Sequence, residues 1–390
     1  MGGWTTVRRI GVLAALGILA APAAAHAQAP PPPPLRSVPL GTAVRLSSLL
    51  DNATYRNTFL SNFDSMTPEN ELKMAALEPH RGKFDFTAAD QLVRFALDHG
   101  KTVRGHALIW GQSLPLWVVD HGATDDLGLK LPPISLPELP GPLGTLLTNT
   151  ATALTGWRRD DLLAVMENHI RTVMAHFAGE IGEWDVVNEP MADDGSLAPT
   201  VWERFIGPDY IDLALRTAHA ADPKAKLFIN DFAVEGPGRK LDGLVNLVTG
   251  LLARGVPLDG VGLQMHTHIA GFLDEATIEN TMRRFANLGL KVEITEMDVG
   301  TSLLDVTRAD RLARQAQAYS AAAQACNAVV ACTRFTTWGF TDAVSWLAVG
   351  ESGLLFDRRY RPKPAYAAVR SAFASPSAPV VLAQTRQKIR

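Results

Sequence analysis

From residue 41 onward, apolar positions along the chain alternate between two periods. Short runs rich in β-branched and aromatic residues read as strands at residues 41–46, 65–67, 101–110, 183–187, 226–232, 260–266, 291–299 and 333–340. Between and after them, helical patterning falls at residues 55–63, 87–99, 158–177, 209–221, 241–252, 275–288, 308–328 and 363–374. The clearest unit begins with Leu241, Leu244, Val245, Val248, Leu251 and Leu252 on one helical face, closed by Gly255 and Pro257. In the strand that follows, Val261, Leu263 and Met265 are predicted to face surrounding helices. Gly260, Gly262, Gln264 and His266 then face a crowded interior that ends in two polar groups. Eight strand–helix units predict an α/β fold, a (β/α)8 TIM barrel. A doubly wound open sheet would carry a Gly-rich phosphate loop after its first strand, and none is present. Residues 123–156, rich in Pro, Leu and Gly without periodicity, read as a loop insertion on the C-terminal face of the barrel.

Two strand ends carry candidate chemistry. Trp184, Asp185, Val186 and Val187 run into Asn188, Glu189 and Pro190, and a residue before proline is disfavoured in the helical region, so Glu189 is predicted extended. In the later strand Val292, Ile294 and Glu296 share one face by alternation. Counting strands, Glu189 closes the fourth and Glu296 the seventh, at the barrel end where such folds keep their chemistry. Two carboxylates converging there suit glycoside hydrolysis, in which one is an acid and the other a nucleophile or base.

Composition narrows the partners. Hydrophobic content of 47% and charged content of 20% describe an ordinary globular chain, and a net charge of −3 gives no reason to expect nucleic acid. At the N-terminus Arg8 and Arg9 precede an apolar run, residues 10–21, and Ala25-His26-Ala27 offers small residues for cleavage. Residues 1–27 therefore read as a signal peptide, the apolar run being too short to span a bilayer, and the product as secreted or periplasmic with no membrane anchor. Residues 28–40 read as a Pro-rich linker, 41–375 as the catalytic barrel and 376–390 as a C-terminal tail. Cys326 and Cys332 are the only cysteines, and in an exported chain such a close pair reads as a disulfide joining a helix end to the next strand. No metal site or cofactor is expected, and a monomer is.

The ordered motifs resemble glycoside hydrolase family 10, the endo-1,4-β-xylanases, from about residue 41 to 373. They are Thr67-Pro68-Glu69-Asn70-Glu71-Leu72-Lys73, Arg104-Gly105-His106-Ala107-Leu108-Ile109-Trp110, Trp184 to Pro190, and Asn230-Asp231. Gly262-Leu263-Gln264-Met265-His266, Ile294 to Asp298, Trp338-Gly339-Phe340-Thr341-Asp342 and Leu355-Phe356-Asp357 follow. The resemblance implies hydrolysis of xylan or xylo-oligosaccharides with retention, Glu189 being the acid/base and Glu296 the nucleophile. It implies that His266 and Asp298 orient the nucleophile. Substrate contacts are implied for Glu69, Asn70, Lys73, His106, Trp110, Asn188, Gln264, Trp338 and Trp346, and a disulfide at the helix-end cysteines is similar to one common in that family.

This chain also departs from the pattern. After Trp110 the family commonly carries His-Ser-Gln, where Gly111, Gln112 and Ser113 stand, with Gln112 the candidate substitute. Phe232 and Ala233 replace a common Tyr-Asn, Ala343 a frequent lysine, and Met74 a frequent tryptophan.

Overall fold

The strands pair in parallel in chain order and the last returns to the first, so the sheet closes on itself. The computed structural model describes residues 1–3, 38–119, 156–302, 304–348 and 350–374. The chain divides into two compact units, residues 1–33 and 34–390, and only three residues of the first are described. Most of the expected leader and linker, the expected insertion up to residue 155 and the expected tail from residue 376 lie outside the described residues.

The strands are β1 (Leu40–Val44), β2 (Ser65–Pro68), β3 (Thr102–Trp110), β4 (Glu183–Asn188), β5 (Lys226–Asp231), β6 (Gly260–Leu263), β7 (His266–His268), β8 (Lys291–Gly300) and β9 (Cys332–Thr337). β7 prolongs the sixth barrel position, and β6 pairs directly with β8, which makes β8 the seventh of eight positions. Of the expected helices, α4 (Thr87–Asp98), α6 (Arg159–His176), α8 (Tyr210–Ala221), α9 (Arg239–Ala253), α10 (Glu275–Ala286), α11 (Arg308–Ala328) and α12 (Pro364–Ala374) lie over the barrel's outer positions in sequence, preceded by α2 (Ala53–Asn62). Short turns α1 (Leu46–Asp51), α3 (Met74–Leu77), α5 (Leu116–Val119) and α7 (Val201–Ile206) had no legible period. Side-chain caps fix several helix starts: Asn52, Thr200, Asp274 and Thr307 each accept a backbone N–H from the first turn. The Cys326–Cys332 disulfide ties the end of α11 to the start of β9.

The alternation that predicted the strands fails at three places, each beside the mouth of the barrel. Residues 260–266 are two strands rather than one, because Met265 has φ +64°. In β8, Glu293 reaches Arg104 of β3, a strand across the barrel, so odd positions point inward. Strict alternation would send Glu296 outward with Val292 and Ile294, yet Thr295 and Glu296 both bond Asn230. The register against β9 shifts between Ile294 and Met297, and this irregularity turns Glu296 to the interior. Glu189 is not extended either: its φ is +55°, in the left-handed region. Its N–H donates to the Asn230 carbonyl (2.8 Å) and the N–H of Met191 donates to Asp231 Oδ2 (3.0 Å), so β5 holds both sides of the turn. Such a conformation costs about 1–3 kcal/mol and persists only where the surroundings impose it.

Below this mouth the interior is charged rather than purely apolar. Arg104 is buried between Asp185 of β4 and Glu293 of β8, and its guanidinium lies over the Phe228 ring (4.5 Å). Burial works against the Asp185 carboxylate, but Arg104 and His106 overcome it and hold the group below its usual range. Glu293 is pushed up by the same burial, which Arg104 only partly offsets. Replacing Arg104 with methionine is expected to lower the unfolding free energy by about 3–5 kcal/mol, because it strands a buried carboxylate pair. Chemical denaturation at neutral pH measures this, and an unchanged midpoint and slope would refute it.

Candidate active site

Asn230, at the end of β5, is the hub of the mouth. Its Nδ2 donates to Asn188 Oδ1 (2.8 Å) and to Glu296 Oε1 (2.7 Å), while its Oδ1 accepts the Thr295 hydroxyl (2.7 Å). Gln264, just past β6, donates to Glu189 Oε1 (3.1 Å) and to Asn188 Oδ1 (3.4 Å), and Asn188 Nδ2 also reaches Glu189 Oε1 (3.3 Å). Both glutamates therefore belong to one hydrogen-bonded cluster of three amides. On its far side His266 bridges two carboxylates, Nδ1 to Asp298 Oδ2 (2.8 Å) and Nε2 to Glu296 Oε2 (3.2 Å). The Trp346 indole N–H donates to the same Asp298 oxygen (2.8 Å), and its ring meets His266 edge-on at 4.9 Å. His106 bonds Asp185 (3.0 Å) and stands 3.9 Å from Glu296 Oε1.

The two glutamates shift in opposite directions. Burial pushes the Glu189 carboxyl up; the Gln264 hydrogen bond only partly offsets this, and the negative charge of Glu296 adds to the rise. Burial acts on Glu296 in the same sense, but attraction to His106 and the hydrogen bond and charge of His266 outweigh it, so Glu296 sits below its ordinary value. Burial alone would depress His266, yet Asp298 and Glu296 raise it well above its ordinary value. A carboxyl raised above its ordinary value beside one lowered below it is the arrangement that a general acid and a nucleophile would need.

The remaining predicted residues divide by position. Lys73 donates to Asn70 Oδ1 (2.9 Å) and lies over the rings of Trp110 (5.1 Å) and Trp338 (6.0 Å), so these four form one wall. Trp338 also packs against His106 at 5.0 Å. Glu69 is buried under Arg45, whose Nε contacts both its oxygens at 2.8 Å. Gln112 reaches Glu189 Oε2 at 3.4 Å and thus adds an amide from the departed segment.

Several members of the site carried no role in the sequence reading. Asn230 was visible only as part of a motif, Arg45 not at all. Asp185 and Glu293 did leave a signal, charged residues in the middle of apolar strands. Lys240, buried in the first turn of α9, lies 2.9 Å from Asp231 Oδ1 and 3.2 Å from the centre of the Phe232 ring. Burial raises Asp231 to about 7 despite Lys240.

Comparison with known proteins places the chain and its barrel. The profile of "Glycosyl hydrolase family 10" matches residues 36–372. The chain belongs to glycosyl hydrolase family 10. It is 36% identical over 331 residues to endo-1,4-beta-xylanase B of Thermotoga neapolitana, covering 83% of this chain and 84% of that protein. It is 36% identical to an endo-1,4-beta-xylanase of Agaricus bisporus, covering 78% and 82%. Among solved structures, native xylanase 10B from Thermotoga maritima superposes with a TM-score of 0.74 at 34% identity, covering 86% of this chain and 95% of that one. Xylanase 10B from Thermotoga petrophila RKU-1, solved in complex with xylobiose, gives the same score, identity and coverage of this chain, with 94% of its own chain covered. As a family 10 member the protein is a glycoside hydrolase, and its barrel is the one those xylanases share.

The raised His266 also makes this glycoside hydrolase pH-dependent in stability. Because its folded pKa lies above the unfolded value of about 6.5, its contribution is complete below that pH and fades as pH climbs through the folded value. The difference in unfolding free energy between the protein and a His266→Asn variant is expected to shrink on going from about pH 5.5 to pH 9. A difference that stays flat or grows over that range would contradict the assignment.

Proposed function

We propose that the protein is an endo-1,4-β-xylanase that cuts internal β-1,4-xylosidic bonds by retaining double displacement, with Glu189 as acid/base and Glu296 as nucleophile. The observation that carries this reading is the single amide cluster holding two carboxyls whose pKa values diverge, Glu189 upward and Glu296 downward. In the first step Glu296 attacks the anomeric carbon while Glu189 gives its proton to the departing glycosidic oxygen. The glycosyl ester that forms removes the charge on Glu296. One cause of the elevated Glu189 pKa disappears with it, so Glu189 now takes a proton from the water that hydrolyses the ester. His266 and Asp298 keep Glu296 ionised and aimed, and Asn188 is placed to read the 2-hydroxyl of the sugar under attack. Glu69, Asn70, Lys73, His106, Trp110, Gln264, Trp338 and Trp346 supply the walls.

Relatives support the substrate class, two of them being named endo-1,4-beta-xylanases and one structure holding xylobiose. Another relative is named exoglucanase XynX, so cellulose-type chains are the comparison substrate. Export rests on the residue 1–27 pattern and fits the disulfide, although one structural relative is described as an intracellular xylanase. No helix among the described residues is long and apolar enough to cross a membrane.

Replacing Glu296 with alanine should abolish xylan hydrolysis, by at least about 10⁴-fold in kcat, with the circular dichroism spectrum unchanged. Substantial residual xylanase activity would remove Glu296 from the mechanism, and product of inverted anomeric configuration from the unmodified protein would remove retention. Asp231→Ala tests the turn that aims Glu189. With the Met191 N–H unanchored, kcat on xylan should fall about a hundredfold, and several times less on an aryl xylobioside whose leaving group needs no proton. Equal losses on both substrates would show that Asp231 acts elsewhere.

A further inference from the structure

A concentration of positive charge lies at the same end of the barrel, outside the catalytic cluster. A cavity of about 510 Å³ beside the end of β8 is lined by six cationic side chains, Arg308, Arg311, Arg358, Arg359, Arg361 and Lys363. Two carboxylates share the lining. Asp357 pairs with Arg361 (2.8 Å), and Asp342 with Lys363 (2.9 Å), whose ammonium also donates to the Ser352 carbonyl (2.7 Å). Among the described residues Arg308, Arg311, Arg358 and Arg359 have no carboxylate at ion-pair distance. Arg308 and Arg311 sit in the first turn of the 21-residue helix α11, whose N-terminus adds its own positive end. The acidic residue of that turn, Asp310, is taken up by the Thr307 hydroxyl (2.7 Å) and does not line the cavity. Burial lowers the Lys363 ammonium, and the charge of Arg308 lowers it further even as Asp342 opposes, so the guanidinium bears on the same space.

Four uncompensated guanidiniums in one concavity are unexpected in a chain of net charge −3. A neutral sugar would gain little from them, whereas a carboxylate can accept paired hydrogen bonds from a guanidinium fork. The volume falls within the ~300–1,000 Å³ of small-ligand pockets. The position links it to the cleft. Thr301, on the lining, is three residues beyond Asp298, hence within about 11 Å of it along the chain. Gly350 and Ser352 belong to the loop that sets Trp346 against His266.

We propose that this pocket binds the carboxylate of a uronic-acid unit carried as a side group on the glycan that lies in the cleft. The proposal rests on reading the protein as a xylan hydrolase. It assigns to these arginines a preference for acidic over neutral decoration and leaves the chemistry at Glu189 and Glu296 untouched.

The test compares three xylo-oligosaccharides of one length: unsubstituted, glucuronic-acid-substituted, and the latter with its carboxyl reduced to the alcohol. The protein should bind the acidic compound with a KM about tenfold below that of its reduced form, as one charge-assisted pair in a partly open site provides. The quadruple variant Arg308→Gln, Arg311→Gln, Arg358→Gln, Arg359→Gln should treat the two alike and hydrolyse the unsubstituted compound as the parent does. Equal KM values for acidic and reduced forms in the parent, or a preference that survives in the variant, would overturn the pocket. Failure of the parent to cut the unsubstituted oligosaccharide would instead overturn the xylanase reading.

Discussion

Asn230 is the contact on which the rest of the mouth depends. One side chain binds the ends of three barrel positions at once, through Asn188 of β4, its own β5, and Thr295 and Glu296 of β8. Its backbone carbonyl holds the N–H of Glu189. The room for this comes from Gly262, where a Cβ would stand 2.2 Å from Asn230 Oδ1. A larger residue on β6 would displace the amide that fixes both glutamates, so a glycine inside a strand is here a requirement of the neighbouring strand.

Given that shared frame, the ionisation of the two carboxyls is decided by what else each touches. The side-chain partners of Glu189 in the cluster, Gln112, Asn188 and Gln264, are neutral amides. Neutral donors soften the cost of burying a charge but do not remove it, and the group moves up. Glu296 has one amide and two imidazoles near it, and Asp298 behind His266 helps raise that imidazole well above its ordinary value. Asp298 in turn is fixed by the Trp346 indole. The asymmetry between Glu189 and Glu296 thus originates one layer out, in carboxylate–imidazole pairs that touch only one of the two glutamates.

Period and length made the barrel legible, because each strand and helix buries a face that must be apolar. Glu189 was legible as a polar residue at a strand end, whereas Glu296, read the same way, lies inside β8, four residues before its end. Their backbone was not. Pro190 argued for an extended Glu189, a local preference of roughly the size that two tertiary hydrogen bonds from β5 can override. Alternation argued that Glu296 shares a face with Ile294, and the register shift in β8 broke it. Both failures occur where the chain bends to bring carboxylates inward, and neither could be read from nearest neighbours. The Arg104–Asp185–Glu293 set was hidden for another reason: its members are 81 and 189 residues apart, joined only by closure of the sheet.

Two of the departures from the family pattern lie beside this frame. Gln112 stands one position before the common glutamine, yet its amide reaches the Glu189 carboxyl. Ser113, which occupies the glutamine's place, is left-handed at φ +49° and its carbonyl takes the N–H of Ala75 in α3. The left-handed turn at Ser113 thus lies directly beside the amide that reaches Glu189. Phe232 lays its ring over Lys240. Lys240 is buried against Asp231, and Asp231 holds the turn after Glu189, so the ring covers the cation paired with that turn's anchor. Gln112 touches Glu189 itself, whereas Phe232 bears on it only through Lys240 and Asp231.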